Sequence, residues 1–170
     1  MYKQNRLTKP DCNQTNYENF KNCIKPTLLQ MSENHCSYCD EHFYNSGNLL
    51  VEHFQNKNVF PELKFEWENL FVACGSCNSH KRDSLYSENP KSIKPDEPDY
   101  CFDKYFGFDS YNGKIIAKDN RAKLTIDFLN LNNEHNTEAR LSFISELVNN
   151  EGRIPDKSFR FIIDLFNAHA

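Results

Sequence analysis

The sequence predicts an α+β fold in which a small core, stapled by cysteines, is flanked by helices. Two cysteine pairs, Cys36-x-x-Cys39 and Cys74-x-x-Cys77, mark the ends of this core, and residues 49–54 between them are a strand candidate. Apolar residues recur at helical spacing before the first pair and after residue 119. The predicted strands and helices therefore occupy different parts of the chain, which is typical of α+β proteins.

Composition places the chain among globular proteins. Hydrophobic residues make up 38% and aromatic residues 14% of its 170 residues, which is too apolar for a disordered chain. A net charge of −4 argues against a strongly basic, autonomous nucleic-acid binder. The apolar runs are too short to span a membrane, and no apolar run follows the basic start as in a signal peptide. We therefore expect a cytoplasmic protein with no membrane association.

Four regions of one domain are expected along the chain. They are an N-terminal helical segment (1–33), the core (34–86), a linker with a small hairpin (87–118) and a C-terminal helical region (119–170). The first helix, over residues 14–32, should break near Pro26, which lacks an amide hydrogen. A short helix is expected over residues 77–85. Asn112-Gly113 is predicted to be the hairpin turn.

Three apolar stripes in the C-terminal region are interpreted as core or interface surface. The second of them is expected to follow a cap at Asn136 or Thr137 and to end at Gly152. The stripes are Ala122, Ile126 and Leu129; Leu141, Ile144 and Val148; and Phe159, Ile162, Ile163 and Phe166.

Two CxxC pairs separated by 34 residues are typical of a structural zinc site, because each pair offers two thiolates from one tight turn. The predicted ligands are Cys36, Cys39, Cys74 and Cys77. His35 and His42 lie beside the first pair and could substitute. In a reducing compartment a disulfide framework is not expected, so the remaining cysteines are predicted to be free thiols. They are Cys12, Cys23 and Cys101.

The segment between the pairs carries residues suited to phosphodiester hydrolysis. That reaction needs a base near neutral pH, which a histidine supplies, and a cation on the scissile phosphate. Glu52-His53 lies midway, Asn69 precedes the second pair, and Asn78 and Lys81 follow it. A carboxylate and an amide oxygen suit a hard ion such as Mg²⁺.

The order CxxC…EH…WENL…CxxCNxxK resembles that of HNH endonucleases with a zinc-stapled ββα-metal core. The longer string VEHFQNKNVFPELKFEWENLFVACGSCNSHK resembles the PtuB-like HNH subunits of Septu-type anti-phage systems, which also occur in some retron systems. The resemblance implies that His53 is the general base and that Asn69 orients it or shapes its loop. It implies that Glu52 and Asn78 bind a catalytic Mg²⁺ or Mn²⁺ and that Lys81 contacts phosphate.

Plainer interpretations of the same residues stay open. Asn69 could be a turn residue and Asn78 a helix cap. His80 could replace Asn78 as the metal ligand, and Lys81 could be a solvated lysine.

Two functions from different classes follow. The first is a metal-dependent HNH endonuclease that works as the nuclease subunit beside a PtuA-like ATPase of the ABC/SMC type. Its expected substrate is DNA, and RNA is the alternative that stays open. The alternative is a non-catalytic zinc-ribbon module that binds nucleic acid or protein. Such a module has no need of Glu52, His53 and Asn78 together, so these three residues discriminate between the two functions.

Overall fold

The computed structural model describes residues 1–43, 47–82, 92–150 and 159–169. In these residues, helices and two small antiparallel sheets make up the fold, which confirms the α+β class. The helices are α1 (Tyr17–Met31), α2 (Gly75–Arg82), α3 (Phe102–Tyr105), α4 (Asn120–Leu129), α5 (Glu134–Asn149) and α6 (Arg160–His169). The strands are β1 (Leu50–His53), β2 (Leu70–Ala73), β3 (Phe106–Asp109) and β4 (Lys114–Ala117), and two short 3-10 helices, Pro61–Phe65 and Trp67–Asn69, separate β1 from β2.

The core is a ββα unit, as predicted. Strands β1 and β2 pair antiparallel, with Leu50 opposite Ala73 and His53 opposite Leu70. All of β2 is buried, which fits its uninterrupted apolar run. Helix α2 begins at Gly75, two residues before the predicted start, and packs against β1. The last three residues of the predicted helix, 83–85, lie outside the described part of the chain.

Helix α1 runs unbroken through Pro26, so the predicted break is wrong. Asn16 caps its start by accepting hydrogen bonds from the amides of Glu18 and Asn19. Pro26 lies on the exposed side, where water can bond the carbonyl that the proline leaves without a donor. Packing of the opposite face outweighs the cost of the proline. That buried face consists of Phe20, Ile24, Leu28 and Met31.

A disulfide joins Cys12 to Cys23, so the prediction of free thiols is wrong for this pair. Cys23 lies six residues into α1, about 9 Å from its start at 1.5 Å per residue. The segment before the helix therefore folds back along it, and this brings the two Cα atoms to 6.1 Å. The prediction of free thiols used only the expected reducing compartment and took no account of how close the fold brings Cys12 and Cys23. Cys101 is a free, exposed thiol, as expected.

The second sheet is the predicted hairpin, and Gly113 is essential to its turn. Gly113 has φ +70°, and a Cβ there would lie 2.5 Å from the carbonyl oxygen of Thr137 in α5. Glycine therefore permits both the left-handed backbone and the close approach of α5. The short helix α3, which the sequence did not indicate, leads directly into β3.

Helix α5 turns a different face to the core than the second predicted stripe. Its cap is Asn133 instead of Asn136 or Thr137, and Gly152 lies outside the described residues. Val148 is 68% exposed, so the stripe Leu141, Ile144 and Val148 is not a core face. The buried face consists of Asn136, Arg140, Phe143 and Leu147.

Arg140 accounts for this inward face of α5, because backbone carbonyls accept hydrogen bonds from both terminal nitrogens of its buried guanidinium, although its Nε has no partner among the described residues. Its Nη1 donates to the carbonyl oxygen of Gly113 at 3.1 Å, and its Nη2 to that of Leu131 at 2.8 Å. The buried polar group thus joins α5 to the hairpin turn and to the end of α4.

The first and third stripes are confirmed in part. Ala122 and Leu129 of α4 are buried. Phe159, just before α6, and Ile162 within it are buried, whereas Phe166 is 46% exposed. In the described residues, no helix combines the length and apolarity needed to cross a membrane.

Candidate active site and metal cluster

Four buried cysteines meet where the segment after α1 touches the start of α2. The Sγ atoms of Cys36, Cys39, Cys74 and Cys77 lie within 4.8 Å of one another. Cys39 Sγ and Cys74 Sγ are 3.8 Å apart. Sulfurs at the corners of a zinc tetrahedron are also about 3.8 Å apart, since each Zn–S bond is about 2.3 Å. The donor set therefore fits a tetrahedral metal ion such as zinc.

Backbone amides already point at these sulfurs. The amide of Cys74 donates to Cys36 Sγ at 3.3 Å, and that of Cys77 donates to Cys74 Sγ at 3.4 Å. Hydrogen bonding to the Cys36 sulfur raises the pKa of Cys39 and Cys77 well above the usual range of a thiol. Four buried thiolates repel each other, and a divalent cation is what would hold them all deprotonated.

The two histidines considered as substitute ligands lie beside the cluster. His35 and His42 form an isolated antiparallel bridge, and their rings contact edge to face at 4.7 Å. His35 Nδ1 donates to the carbonyl oxygen of Glu33 at 2.7 Å. In the part of the chain that the structure describes, the metal-ligating group consists of the four cysteines.

The last helix holds the first cysteine turn in place. Asp40 follows Cys39 with φ +67° and a fully buried side chain. Its Oδ1 accepts from Nε and Nη2 of Arg160 in α6, at 2.9 and 2.6 Å. This buried ion pair spans 120 residues of sequence and joins the cluster to the C-terminal region.

His53, the last residue of β1, is held as a neutral imidazole. Its Nε2 lies 3.0 Å from the carbonyl oxygen of Lys64, which can only accept, so Nε2 carries the proton and Nδ1 keeps its lone pair. The Tyr17 ring stacks on the imidazole with centroids 5.5 Å apart, and the Tyr17 hydroxyl lies 3.4 Å from Nδ1 and 3.3 Å from Nε2. Burial is the main cause that lowers the pKa of His53 to about 4; the hydrogen bond to Lys64 opposes this shift, and charge repulsion from Lys57 and Lys81 adds to it. The geometry leaves Nδ1 able to accept a proton, whereas the burial and the lysines hold the pKa below the near-neutral value at which a general base works best.

Glu52, the neighbour of His53, forms a buried ion pair with Lys81. Lys81 Nζ lies 3.1 Å from Glu52 Oε1 and 2.9 Å from Oε2, and it also donates to the carbonyl oxygen of His53. Both side chains are only 5% exposed. Burial raises the pKa of Glu52 and lowers that of Lys81, and the attraction between the two charges opposes both shifts.

Asn78 completes the predicted set and lies one turn before Lys81 on α2. It is half-buried, and it lines one open pocket of about 420 Å³ together with Glu52, His53 and Lys81. His80, the alternative metal ligand, is exposed, and its Nδ1 donates to the carbonyl oxygen of Ser76 on its own helix at 2.8 Å. The pocket therefore offers a carboxylate and an amide, a donor set that fits a hard divalent ion.

Asn69 closes the loop between the two strands. Its Oδ1 accepts from the amide of Gln55 at 2.7 Å, and its Nδ2 donates to the carbonyl oxygens of Gln55 and Leu63 at 3.0 and 3.3 Å. The side-chain amide of Asn69 thus makes the pair of hydrogen bonds to Gln55 that a backbone residue would make if the β1–β2 pairing continued beyond His53. In the described structure it fixes the shape of the loop, and through that the Lys64 carbonyl that holds His53.

Comparison with known proteins bears directly on this arrangement. Residues 36–84 match the HNH endonuclease family. The chain is also 34% identical, over 112 residues, to the Septu protein PtuB of Bacillus thuringiensis. That match covers 64% of this chain and 41% of the relative, so the chain spans less than half of the relative's length. The resemblance indicated by the motifs is confirmed.

Three lysines form a basic rim beside the pocket that holds His53, and the sequence did not indicate this rim. The Nζ atoms of Lys21, Lys57 and Lys64 lie 5.1, 4.3 and 5.3 Å from the centre of the Tyr17 ring. Lys21 and Lys57 also line the pocket that holds His53. A charge count along residues 51–94 gives zero, because it omits Lys21 and includes acidic residues such as Glu66 and Glu68 that do not line the pocket. In the sequence, only the position of Lys57, four residues after His53, indicates that a lysine could lie near His53.

Proposed function

We propose that this chain is an HNH endonuclease that hydrolyses phosphodiester bonds of nucleic acid, DNA above all. The observation that carries the proposal is the placement of His53 in an open pocket, with Nε2 bonded to the Lys64 carbonyl so that Nδ1 is left to accept a proton. Beside it, in the same pocket, lie Glu52 and Asn78. A zinc-binding module would need the four cysteines but no such pocket.

His53 accepts a proton at Nδ1 from the water that attacks the phosphorus. The Lys64 carbonyl fixes the tautomer through Nε2 and stabilises the imidazolium that forms, because it can keep the same hydrogen bond. Tyr17 packs on the ring and restrains its rotation. Asn69 holds the loop that carries the Lys64 carbonyl, so its part is positioning.

Glu52 and Asn78 are the residues that we assign to a catalytic Mg²⁺ or Mn²⁺. When bound, such an ion stabilises charge on the scissile phosphate and on the leaving oxygen. Lys81 is assigned to a phosphate oxygen of the substrate, and the rim lysines Lys21 and Lys57 to neighbouring phosphates. With water attacking in line and the 3′ oxygen leaving, the product carries a 5′-phosphate.

We assign a structural zinc ion to the four cysteines. The thiolate set matches zinc chemistry, and a closed four-sulfur site leaves no position for substrate. Zinc would then fix the start of α2, and with it Asn78, relative to β1. The zinc therefore has a structural role, and the proton transfer takes place at His53.

The likeness to PtuB supports a place in a Septu-type anti-phage system, as the cytoplasmic nuclease subunit beside a PtuA-like ATPase of the ABC/SMC type. The net charge of −4 disfavours strong binding of nucleic acid by this chain alone, and this favours a partner that contributes to the binding. Exposed apolar side chains on α5 and α6, Val148 and Phe166 among them, support contact with another protein.

A matched pair of histidine variants tests the proposal. Zinc-loaded wild type, His53→Ala and His80→Ala are incubated with supercoiled plasmid and Mg²⁺ or Mn²⁺, with and without the ATPase encoded beside the chain. We expect wild type and His80→Ala to cut and His53→Ala to lose at least about a hundredfold in rate, as for loss of a general base.

Zinc content and circular dichroism establish that each variant is folded. Equal cutting by all three proteins would refute the role of His53. If no protein cuts the plasmid in any combination, the same set is incubated with RNA. If RNA is not cut either, the zinc-binding module becomes the function instead.

A further inference from the structure

The ammonium of Lys81 occupies the place at Glu52 that a bound cation would take. It bonds both carboxylate oxygens, at 2.9 and 3.1 Å, and also the carbonyl oxygen of His53. Three oxygens therefore converge on one positive charge in a site where each side chain is 5% exposed. A carboxylate and a carbonyl are also ligands that a hard divalent ion takes.

The surroundings of Lys81 are built to hold a cation there. Its Nζ lies 5.5 Å from the ring centre of Tyr38, 5.3 Å from that of Phe54 and 5.4 Å from that of Phe128. Aromatic faces attract an ammonium, and they exclude water from it. The aliphatic stem of Lys81 is thus packed against the core while its charged end reaches Glu52.

A divalent ion and the Lys81 ammonium cannot share this position. Both carry positive charge, and Lys81 already bonds both oxygens of the Glu52 carboxylate. A phosphate contact by Lys81 is likewise incompatible with the pair, because the buried ammonium faces protein oxygens. Each role assigned to Glu52 and Lys81 therefore requires that the pair first opens.

We propose that Lys81 is a built-in counter-ion that fills the cation position of Glu52 until a divalent ion replaces it, and that the exchange frees Lys81 to bind the substrate phosphate. The proposal rests on the assignment of the catalytic ion to Glu52. It adds that the resting site is closed by its own side chain, so metal affinity is low until phosphate draws Lys81 away. Metal and nucleic acid would then bind cooperatively, because each favours the open pair.

Metal binding without cleavage tests the exchange. Mn²⁺ is titrated into the zinc-loaded full chain by calorimetry, using wild type, Lys81→Met, Lys57→Met and Glu52→Gln. Lys57→Met is the matched control, because it removes one charge from the same pocket while its ammonium packs on Tyr17 and not on Glu52.

We expect Lys81→Met to bind Mn²⁺ at least about tenfold more tightly than wild type, since a charge-assisted bond no longer competes. Lys57→Met should gain about threefold or less, the effect of one nearby charge in high dielectric. A gain in Lys81→Met that is no larger than in Lys57→Met would overturn the counter-ion proposal.

The same titration separates the two assignments. If Glu52→Gln binds Mn²⁺ as well as wild type, the ion does not use Glu52, and the assigned metal site and the exchange both fail. If Glu52→Gln weakens binding but Lys81→Met does not strengthen it, the metal site stands and only the exchange fails.

A second measurement covers the case in which Lys81→Met does not fold. The ¹⁵N signal of the Lys81 ammonium should be visible in wild type, because burial slows its exchange with water. Saturating Mg²⁺ should shift or remove this signal. An unchanged signal at saturating Mg²⁺ would overturn the exchange.

Discussion

The protonation of His53 can be measured directly, independently of any cleavage. Burial lowers its pKa to about 4, against the ordinary value of about 6.5. At pH 5.5 a group with a pKa of about 4 is more than nine-tenths neutral, whereas one at 6.5 is about one-tenth neutral. The two cases differ roughly tenfold in the population of the base form, so the titration gives a clear answer.

The assay is a two-dimensional ¹H–¹³C titration of the histidine Cε1–H signals of the zinc-loaded protein. Six histidines give six signals, and His53→Gln identifies the one that belongs to His53. Because acid releases metal from thiolates, the titration stops at pH 5, where His53 should still be neutral. The urea-unfolded chain is the reference. A His53 signal that moves with a midpoint near pH 6.5 in the folded protein would refute the account of its burial.

The same pKa has a consequence for stability. Since the pKa of His53 is lower in the folded chain than in the unfolded one, the unfolded chain binds more protons between about pH 4 and 6.5. The contribution of His53 to the free energy of unfolding is therefore complete above pH 6.5 and declines as the pH falls through that window. If cleavage needs neutral His53, its acidic limit should likewise lie below pH 5.

Three further outcomes are expected. Cys36→Ser should lose the bound metal, measured as zinc per chain, and most of its ordered structure by circular dichroism, because four thiolates close the site; full zinc content in this variant would contradict the cluster. Gly113→Ala should lower the free energy of urea unfolding by more than about 2 kcal/mol, since a left-handed alanine costs about 1–2 kcal/mol and its Cβ would also collide with Thr137, whereas Gly75→Ala, with open space around it, should be close to neutral. Lys57→Met, in a His53→Ala background, should weaken binding of a short DNA duplex measured by fluorescence anisotropy and reduce the salt slope by about 1; an unchanged slope would exclude Lys57 from phosphate contact.

Local spacing predicts the four-cysteine cluster, and the resemblance to HNH endonucleases predicts the ββα unit. Cysteines two residues apart can meet on one turn, and a long-range pairing of two such turns is the simplest way to satisfy four thiolates. The strand that carries Glu52 and His53 is predicted by its apolar residues, but its pairing with the apolar run before Cys74 is a finding of the structure. The cluster and this strand depend on residue types at fixed separations.

The rest depends on contacts that no local pattern encodes. Tyr17 stacks on His53 from a helix 36 residues earlier, and the lysine rim gathers from three separate segments. The ion pair of Glu52 with Lys81 requires knowing that α2 lies against β1. On α5 the apolar stripe is not the core face, because carbonyl oxygens accept hydrogen bonds from the buried Arg140 and a partly polar face turns inward; the interpretation as interface surface stays a prediction.

The link between Asp40 and Arg160 affects the order in which the protein is completed during synthesis. Residue 40 leaves the ribosome 120 residues before its partner, which at 5–20 residues per second is a delay of roughly 6–24 seconds. Both cysteine turns are available well before that moment, so the cluster can take up its metal while Asp40 still has a hydrated carboxylate. Docking of α6 then removes that carboxylate from water, so the contact between Asp40 and Arg160 forms later in synthesis than the cysteine cluster can.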